Sequence, residues 1–276
     1  INRVQSTEFI EKFIAHAKHV GFKSINIDLI YGLPHQNIAT FTRTLNKAHE
    51  MAVDRISLFS YAHMPSRFAA QRKLKDEWLP NIDEKFALMK LAIEKLCDFG
   101  YDFIGMDHFA KPEDELAIAQ KEGNLHRNFQ GYTTKGGGDL LGLGVSAISA
   151  IGSSLSQNTK ELPNYYKAID ANAHTHEKGL KLTQDDIIRG EVIRELMCNM
   201  SINKNKINEK YSIDFDQYFA KDLPLLKPFI DDGLLSNTQN NIRVDQKARL
   251  LIRNICMSFD ANLKQKINQQ RFSRVI

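Results

Sequence analysis

Ile25-Asn26-Ile27-Asp28-Leu29-Ile30-Tyr31-Gly32-Leu33-Pro34, residues 25–34, is the stretch on which the fold turns. Ile25, Ile27 and Leu29 alternate with Asn26 and Asp28, the period of a strand, and Gly32 and Pro34 punctuate a turn at its end. A helix is predicted on either side. Thr7–Val20 carries Phe9, Ile10, Phe13, Ile14 and Ala17 at helical spacing, between Ser6 as N-cap and Gly21 as stop. Ile38–Met51, with the stripe Ile38, Phe41, Leu45 and Ala48, leads to a second strand at Ile56–Tyr61 and the loop Ala62-His63-Met64-Pro65. Asp83–Phe99, stopped by Gly100, leads to a third strand at Tyr101–Met106, and a fourth, buried strand is expected over Leu140–Ile148 after Gly136-Gly137-Gly138. Strands alternating with helices predict parallel pairing through right-handed crossovers. Four such strands are too few to close a barrel, so residues 1–156 read as α/β, half of a barrel.

Beyond a polar connecting segment at 157–182, which carries His174-Thr175-His176, the texture changes. Residues 183–276 read as a mostly helical, winged-helix-like domain: helices Ile187–Met200, Phe215–Asp232 and Ala248–Leu263, with a small hairpin from Gly233-Leu234-Leu235 and Asn241–Val244. His174 and His176, in a polar segment and without a full set of metal ligands, read as solvated surface.

The chain has 276 residues, 42% of them hydrophobic, and a formal charge of +4 from 37 basic and 33 acidic side chains. That balance excludes disorder and a disulfide scaffold, and no run of 18 apolar residues exists to span a membrane. The excess positive charge is too small to point to nucleic acid, and it suits an acidic substrate held in a local basic patch. Within Ile207–Leu235 the six acids Glu209, Asp214, Asp216, Asp222, Asp231 and Asp232 face three lysines, which also counts against a winged-helix DNA module. Cys97, Cys198 and Cys256 show no metal-binding spacing and read as reduced thiols in a cytoplasm, with no metal. Opening on Ile1-Asn2-Arg3-Val4, without initiator Met or export signal, the chain reads as the C-terminal part of a longer one.

Chemistry in a parallel α/β sheet gathers at the C-terminal ends of the strands. The polar residues there are Asp28, His63 and Asp107-His108, joined by the basic Arg67, Arg72 and Lys73. His126, Arg127 and Lys135 flank Asn128-Phe129-Gln130-Gly131-Tyr132. Asp28 lies inside an apolar run, where an unpaired buried carboxylate costs several kcal/mol, so it requires a partner or water. Gly142-Leu143-Gly144 marks close approach by a ligand or by another backbone. No P-loop, GxGxxG or GxSxG spacing occurs. The residues alone leave open a metal-dependent barrel hydrolase using Asp28, His63, Asp107 and His108.

Several stretches resemble a known family closely: INRVQ at 1–5, NIDLIYGLP at 26–34, DRISLFSYAHMP at 54–65, FAAQRK at 68–73, FIGMDHFAKPEDELA at 103–117, LHRNFQGYTT at 125–134, LLGLGVSAIS at 140–149, RLLIRNICMSFD at 249–260 and RFSRVI at 271–276. They resemble the bacterial oxygen-independent coproporphyrinogen III oxidases, radical S-adenosylmethionine enzymes of haem synthesis, along the whole chain. The resemblance implies the C-terminal half of a partial (β/α)6 radical-SAM barrel followed by the family's helical domain. It implies a 4Fe–4S cluster held upstream by a CxxxCxxC loop, which Cys97, Cys198 and Cys256 do not match, so the fragment alone is expected to be inactive. The activity it implies is conversion of two propionates of coproporphyrinogen III to vinyl groups through a 5′-deoxyadenosyl radical, giving protoporphyrinogen IX.

Carried over by position, Arg3 meets the adenosylmethionine carboxylate, Asp28 binds the same cofactor, Ala62 offers backbone to the adenine region, and Gln130 and Ile148 line the cofactor region, where a second adenosylmethionine binds. Arg67, Arg72, Arg127, Arg271 and Arg274 are candidates for the substrate propionates, which an arginine fork grips in pairs. No catalytic residue is assigned. The resemblance further implies a reductant for the cluster, no nucleic acid or membrane partner, a monomer, and a cytoplasmic setting. The alternative within the same wider family is a haem-trafficking relative.

Overall fold

The structure is a computed structural model that describes residues 4–263. Arg3, Arg271 and Arg274 lie outside the described residues. The described chain packs as two compact units, residues 4–121 and 122–263.

The first unit opens with α1 (Thr7–His19), whose Ser6 hydroxyl accepts from the Phe9 N–H at 3.2 Å. Then follow β1 (Asn26–Tyr31), α2 (Ile38–Glu50), β2 (Arg55–Ser60), α3 (Ile82–Asp98), β3 (Asp102–Gly105), β4 (His108–Ala110) and α4 (Glu115–Lys121). Asn37 with Thr40, and Asn81 with Glu84, form reciprocal caps that start α2 and α3. β1 and β2 pair in parallel, with Asp28 opposite Ser57 and Ile30 opposite Phe59. Phe41, Leu45 and Ala48 of α2 and Leu88, Ala92 and Leu96 of α3 are buried with Ile56 and Leu58 of β2. Each large side chain among them contributes about 1.5–3 kcal/mol by leaving water.

The expected all-parallel order is corrected here. β3 does not pair with β2; the chain turns at Met106-Asp107 and returns as β4, which lies antiparallel between them, giving the order β1-β2-β4-β3. A two-residue connection can only join antiparallel strands, and Met106 takes the left-handed conformation (φ 53°) that the reversal demands.

The second unit begins with the hairpin β5 (His126–Asn128) and β6 (Gly131–Thr133). β7 (Ile148–Ile151), β8 (Ser154–Asn158) and β9 (His176–Lys181) form an antiparallel sheet, with α5 (Leu162–Asp170) between the last two, so the polar 157–182 segment is structured. The buried strand expected over Leu140–Ile148 is absent. Leu140 makes a single bridge to Ala150, Leu141 and Leu143 stand 65% and 84% exposed, and Gly144, at φ 100°, turns the chain where a strand would extend.

α6 (Gln184–Asn199), β10 (Ser201–Asn203), α7 (Lys204–Tyr211), α8 (Phe215–Tyr218), α9 (Lys227–Asp231), β11 (Leu235–Asn237), β12 (Asn241–Val244) and α10 (Ile252–Met257) complete the unit. Its small sheet has the order β10-β12-β11, one strand more than the expected hairpin. Two expected helices are shorter. Phe215–Asp232 is interrupted between α8 and α9, where Pro224 and Pro228 each fall in the first turn of a new element, and Ala248–Leu263 becomes a 3-10 turn (Gln246–Leu251) before α10. Phe215, Phe219 and Phe259 meet in the core, with Phe215–Phe219 centroids 4.7 Å apart and Phe219–Phe259 5.3 Å. No helix among the described residues is long and apolar enough to cross a membrane.

Candidate functional site

Successive strand residues point to opposite sheet faces, so the parallel register sorts β1 and β2 into two sets. Tyr31, Ile56 and Leu58 are buried on the helix side. Asn26, Asp28 and Ile30 of β1 share the other face with Arg55, Ser57 and Phe59 of β2 and, through the Ser57–His108 pairing, with His108 of β4. On that face, open at Asp28 and closed over at Ser57, the buried Ser57 hydroxyl donates to Asn26 Oδ1 (3.1 Å), and Asn26 Nδ2 donates to Asp28 Oδ1 (2.8 Å). Asp28 Oδ2 has no partner among the described residues. The expectation of a buried carboxylate is therefore corrected: Asp28 is exposed and half-satisfied, an acceptor held at a fixed angle. Asp107 Oδ1 lies 2.6 Å from His108 Nδ1, and Phe59 stands edge-on to the His108 ring.

The helix side of β1 is also accessible. Phe9, Ile10 and Phe13 of α1, Ile27 and Leu29 of β1 and Met51 of α2 line a groove of about 540 Å³. Phe9 and Phe13, expected in the buried stripe of α1, are 59% and 64% exposed, and Ile14 alone of α1 is buried.

At the strand ends, Gly32 takes φ 83°, and the Lys85 stem runs so close that a Cβ there would sit 3.0 Å from its Cε. Lys85 Nζ donates to the Tyr61 carbonyl at 3.0 Å, and burial lowers its pKa. Tyr31 is pushed the other way by burial, against a hydrogen bond with Ser60, with the Asp107 charge adding to the rise. Ala62 and His63 are half-buried, and His63 Nε2 stands 3.5 Å from Asp76 Oδ1. Arg67 and Arg72 are exposed, with Arg72 Nε engaged by the Pro65 carbonyl at 3.0 Å.

In the second unit Gln130 is exposed at the β5–β6 turn, its N–H donating to Asn128 Oδ1 at 2.8 Å. The exposed Arg127 lays its guanidinium 5.8 Å from the Tyr132 ring centroid. Ile148 is half-buried at the start of β7. A Cβ on Gly142 would lie 2.5 Å from the Ile148 carbonyl oxygen, so of the two partners expected for the glycine-rich stretch it is the chain's own backbone that approaches here.

Sequence reasoning missed Gln36, Gln71 and Lys85, because nothing in strand or helix period marks a side chain that serves a turn. It also missed a charged cluster on α6 and α7. Glu191 accepts from Lys210 Nζ (2.6 Å) and from the Tyr211 hydroxyl, while Arg194 donates to Glu195 (2.6 Å). Burial opposes ionisation of Glu191, but Lys210 and Tyr211 outweigh it and lower its pKa.

Among the described residues no three His, Cys, Asp or Glu side chains are grouped to hold a metal ion. Asp28 is bonded from Asn26, His63 lies beside Asp76 and Asp107 pairs with His108, so the four do not come together as the ligand set of the hydrolase alternative. Cys198 and Cys256 are buried, and burial raises their thiols to about 11 and about 12, the reverse of what thiolate ligands need.

An open polar sheet face ending in tightly held turns, followed by a helical unit with a small antiparallel sheet, defines an α/β chain of the kind that binds ligands at strand ends. Residues 182–251 match the family described as the HemN C-terminal domain. Over all of its 276 residues the chain is 52% identical to the oxygen-independent coproporphyrinogen III oxidase of Salmonella typhimurium, and equally to that of Escherichia coli, covering 60% of each. It is 42% identical to that of Thermostichus vulcanus, covering 85% of it. A solved structure described as coproporphyrinogen III oxidase (HemN) from Escherichia coli, a radical SAM enzyme, matches with a TM-score of 0.92 and 52% identity over 95% of this chain and 60% of that one. The chain belongs to the oxygen-independent coproporphyrinogen III oxidase family. It spans about 60% of the length of the first of these relatives.

Proposed function

We propose that this chain is part of an oxygen-independent coproporphyrinogen III oxidase and supplies its adenosylmethionine- and substrate-facing surfaces. Identity of 42% across 85% of the Thermostichus vulcanus protein carries the proposal. Residues 1–156 belong, in this view, to the radical-SAM barrel, 157–182 to a connection and 183–276 to the C-terminal domain, whose start is supported by the family match from residue 182.

The donor set suits adenosylmethionine and not the cluster. Asp28 offers a free carboxylate oxygen on an open face, an acceptor for a ribose hydroxyl or an ammonium, whereas Cys97, Cys198 and Cys256 form no group of three with one another or with other ligating side chains among the described residues. When bound at an iron–sulfur cluster, adenosylmethionine supplies a 5′-deoxyadenosyl radical, and this protein's residues direct where that reactivity falls. Arg3 takes the cofactor carboxylate as a fork donor. Ala62, having only a methyl side chain, lets backbone approach the adenine, while Gln130 and Ile148 line the cofactor region, including that of a second adenosylmethionine. Ile30 and Phe59, 41% and 37% exposed on the Asp28 face, present apolar surface that limits water around the reacting carbon. Arg67, Arg72, Arg127, Arg271 and Arg274 hold propionates. Each of two propionates would lose a hydrogen atom from its β-carbon to the 5′-deoxyadenosyl radical, one further electron to a separate one-electron acceptor, and carbon dioxide, leaving a vinyl group. A cluster reductant and a cytoplasmic monomer, without nucleic acid or membrane as partner, complete the proposal.

The test uses the intact enzyme, its cluster reconstituted without oxygen and supplied with reductant, adenosylmethionine and coproporphyrinogen III. Formation of 5′-deoxyadenosine and protoporphyrinogen IX, both lost in Asp28→Ala, is expected. Deoxyadenosine with untouched porphyrinogen would point instead to a haem-trafficking relative.

A further inference from the structure

In the loop after β2 most backbone polar groups from Tyr61 to Pro65 are engaged. Lys85 Nζ donates to the Tyr61 carbonyl, Arg72 Nε to that of Pro65, and the N–H groups of Arg67 and Phe68 both donate to the Met64 carbonyl at 3.0 Å. Gln71 works in both directions: its Nε2 donates to the Ala62 carbonyl (3.1 Å), and its Oε1 accepts from the Met64 N–H (2.6 Å). Between Ala62 and Pro65, only the Ala62 N–H and the two backbone groups of His63 remain without a partner among the described residues.

The turn after β1 is built the same way. Gln36 Oε1 accepts from the N–H groups of Gly32 (2.6 Å) and Leu33 (3.3 Å), and its Nε2 donates to the Ile30 carbonyl (3.1 Å). Two neighbouring parallel strands thus end in turns pinned by a single amide each, and the pinned β2 turn leaves one run of peptide groups unused.

We infer that Gln71 is a positioning residue for the adenosyl group. By holding Ala62 C=O and Met64 N–H at once, it fixes the backbone dihedrals between them and turns the unused N–H and C=O of His63, each trans to a group that Gln71 holds, away from its own side of the loop. Without it, ordering that dipeptide would be drawn from the free energy of binding. This inference rests on the proposed contact of Ala62 with the adenine region. Gln71 itself, half-buried on the 3-10 helix Ala69–Lys73, acts through the loop and not on the ligand.

The test compares Gln71→Met, which keeps the length and removes both bonds, with Gln71→Glu, which keeps the acceptor for Met64 N–H. In the intact, cluster-reconstituted enzyme, Gln71→Met is expected to weaken adenosylmethionine binding and raise its KM about tenfold, with kcat at saturation within about twofold and Gln71→Glu in between. Amide hydrogen exchange of the wild-type enzyme with and without adenosylmethionine separates the two levels of inference. No protection of Ala62 and His63 on binding would mean that Ala62 does not meet the ligand. Protection there, with Gln71→Met binding as tightly as wild type or losing kcat alone, would overturn the role of Gln71 and leave Ala62 standing. Should Gln71→Met not fold, Gln71→Glu decides by the same readouts.

Discussion

Gly142→Ala is the substitution whose consequence the structure specifies best. The added Cβ would lie 2.5 Å from the Ile148 carbonyl oxygen, 2.8 Å from its carbon and 3.0 Å from its nitrogen. All three are backbone atoms of a residue paired with Gln157 in the β7–β8 ladder, so none can swing away as a side chain would. Ordinary contact begins near 3.4 Å, which places the methyl about 0.9 Å too close to the oxygen. Overpacking of this kind costs about 1–3 kcal/mol. Displacing residue 142 also strains its N–H bond to Ser149 Oγ, 3.0 Å long, for about 0.5–1.5 kcal/mol more. Restricting the unfolded chain offsets about 0.4–1 kcal/mol of this. A net loss of about 0.5–4 kcal/mol is expected, measured as a lowered urea midpoint with unchanged slope. Gly138→Ala is the control, since its Cβ meets nothing within 4 Å and its φ is not positive. Equal stability of the two variants, within about 0.5 kcal/mol, would refute the close backbone approach at Gly142.

Asp114 is 7% exposed and accepts from Arg55 Nε, the Ser24 hydroxyl (2.9 Å) and the Leu116 N–H (2.8 Å). Asp114→Ala leaves Ser24 and Leu116 without that acceptor while Arg55 keeps Glu115, and should cost about 1–3 kcal/mol by urea unfolding; a loss no larger than that of an exposed Asp would sink the assignment. Burial, helped by Arg194, lowers the pKa of His126 below its ordinary 6.5. The unfolded chain then protonates first as pH falls, so the contribution of neutral His126 is complete above about pH 6.5 and is lost as pH drops through the depressed folded value. His126→Asn should flatten that part of the stability profile, and an unaltered slope would contradict it. Of the three cysteines here only Cys97 is exposed, so iodoacetamide near pH 8 should label Cys97 alone in the folded protein and all three in urea, read by peptide mass; labelling of folded Cys198 would count against its burial.

Where one local signal decided an element, sequence and structure agree. Ser6 caps α1, Gly21 ends it with φ 98°, and β1 runs to Tyr31 before the Gly32 turn. They part where the outcome depended on residues distant in sequence. Leu140–Ile148 has a strand's apolar content, but Leu141 and Leu143 find no partner strand and stay exposed. The third strand was legible, its neighbour was not, because β4 is three residues long, too short for periodicity to register. Asp28 was legible as a residue needing a reason. Its exposure and its bond from Asn26 follow from which face β1 turns to the helices, and that is settled by packing.

By itself the sequence determined the alternation of strands and helices over the first unit, the helical character of the second, the caps and turns that bound them, and the family, whose words run through the whole chain. Those are local properties, written in hydrophobic period, in capping side chains and in Gly and Pro. Tertiary structure alone decided the strand order β1-β2-β4-β3, the open face shared by Asp28, Ser57 and His108, and the turns closed by Gln36 and Gln71. Each of these requires partners brought together by the fold. A glutamine bonds as readily to water as to a carbonyl, and only the finished loop geometry makes the carbonyl the better partner.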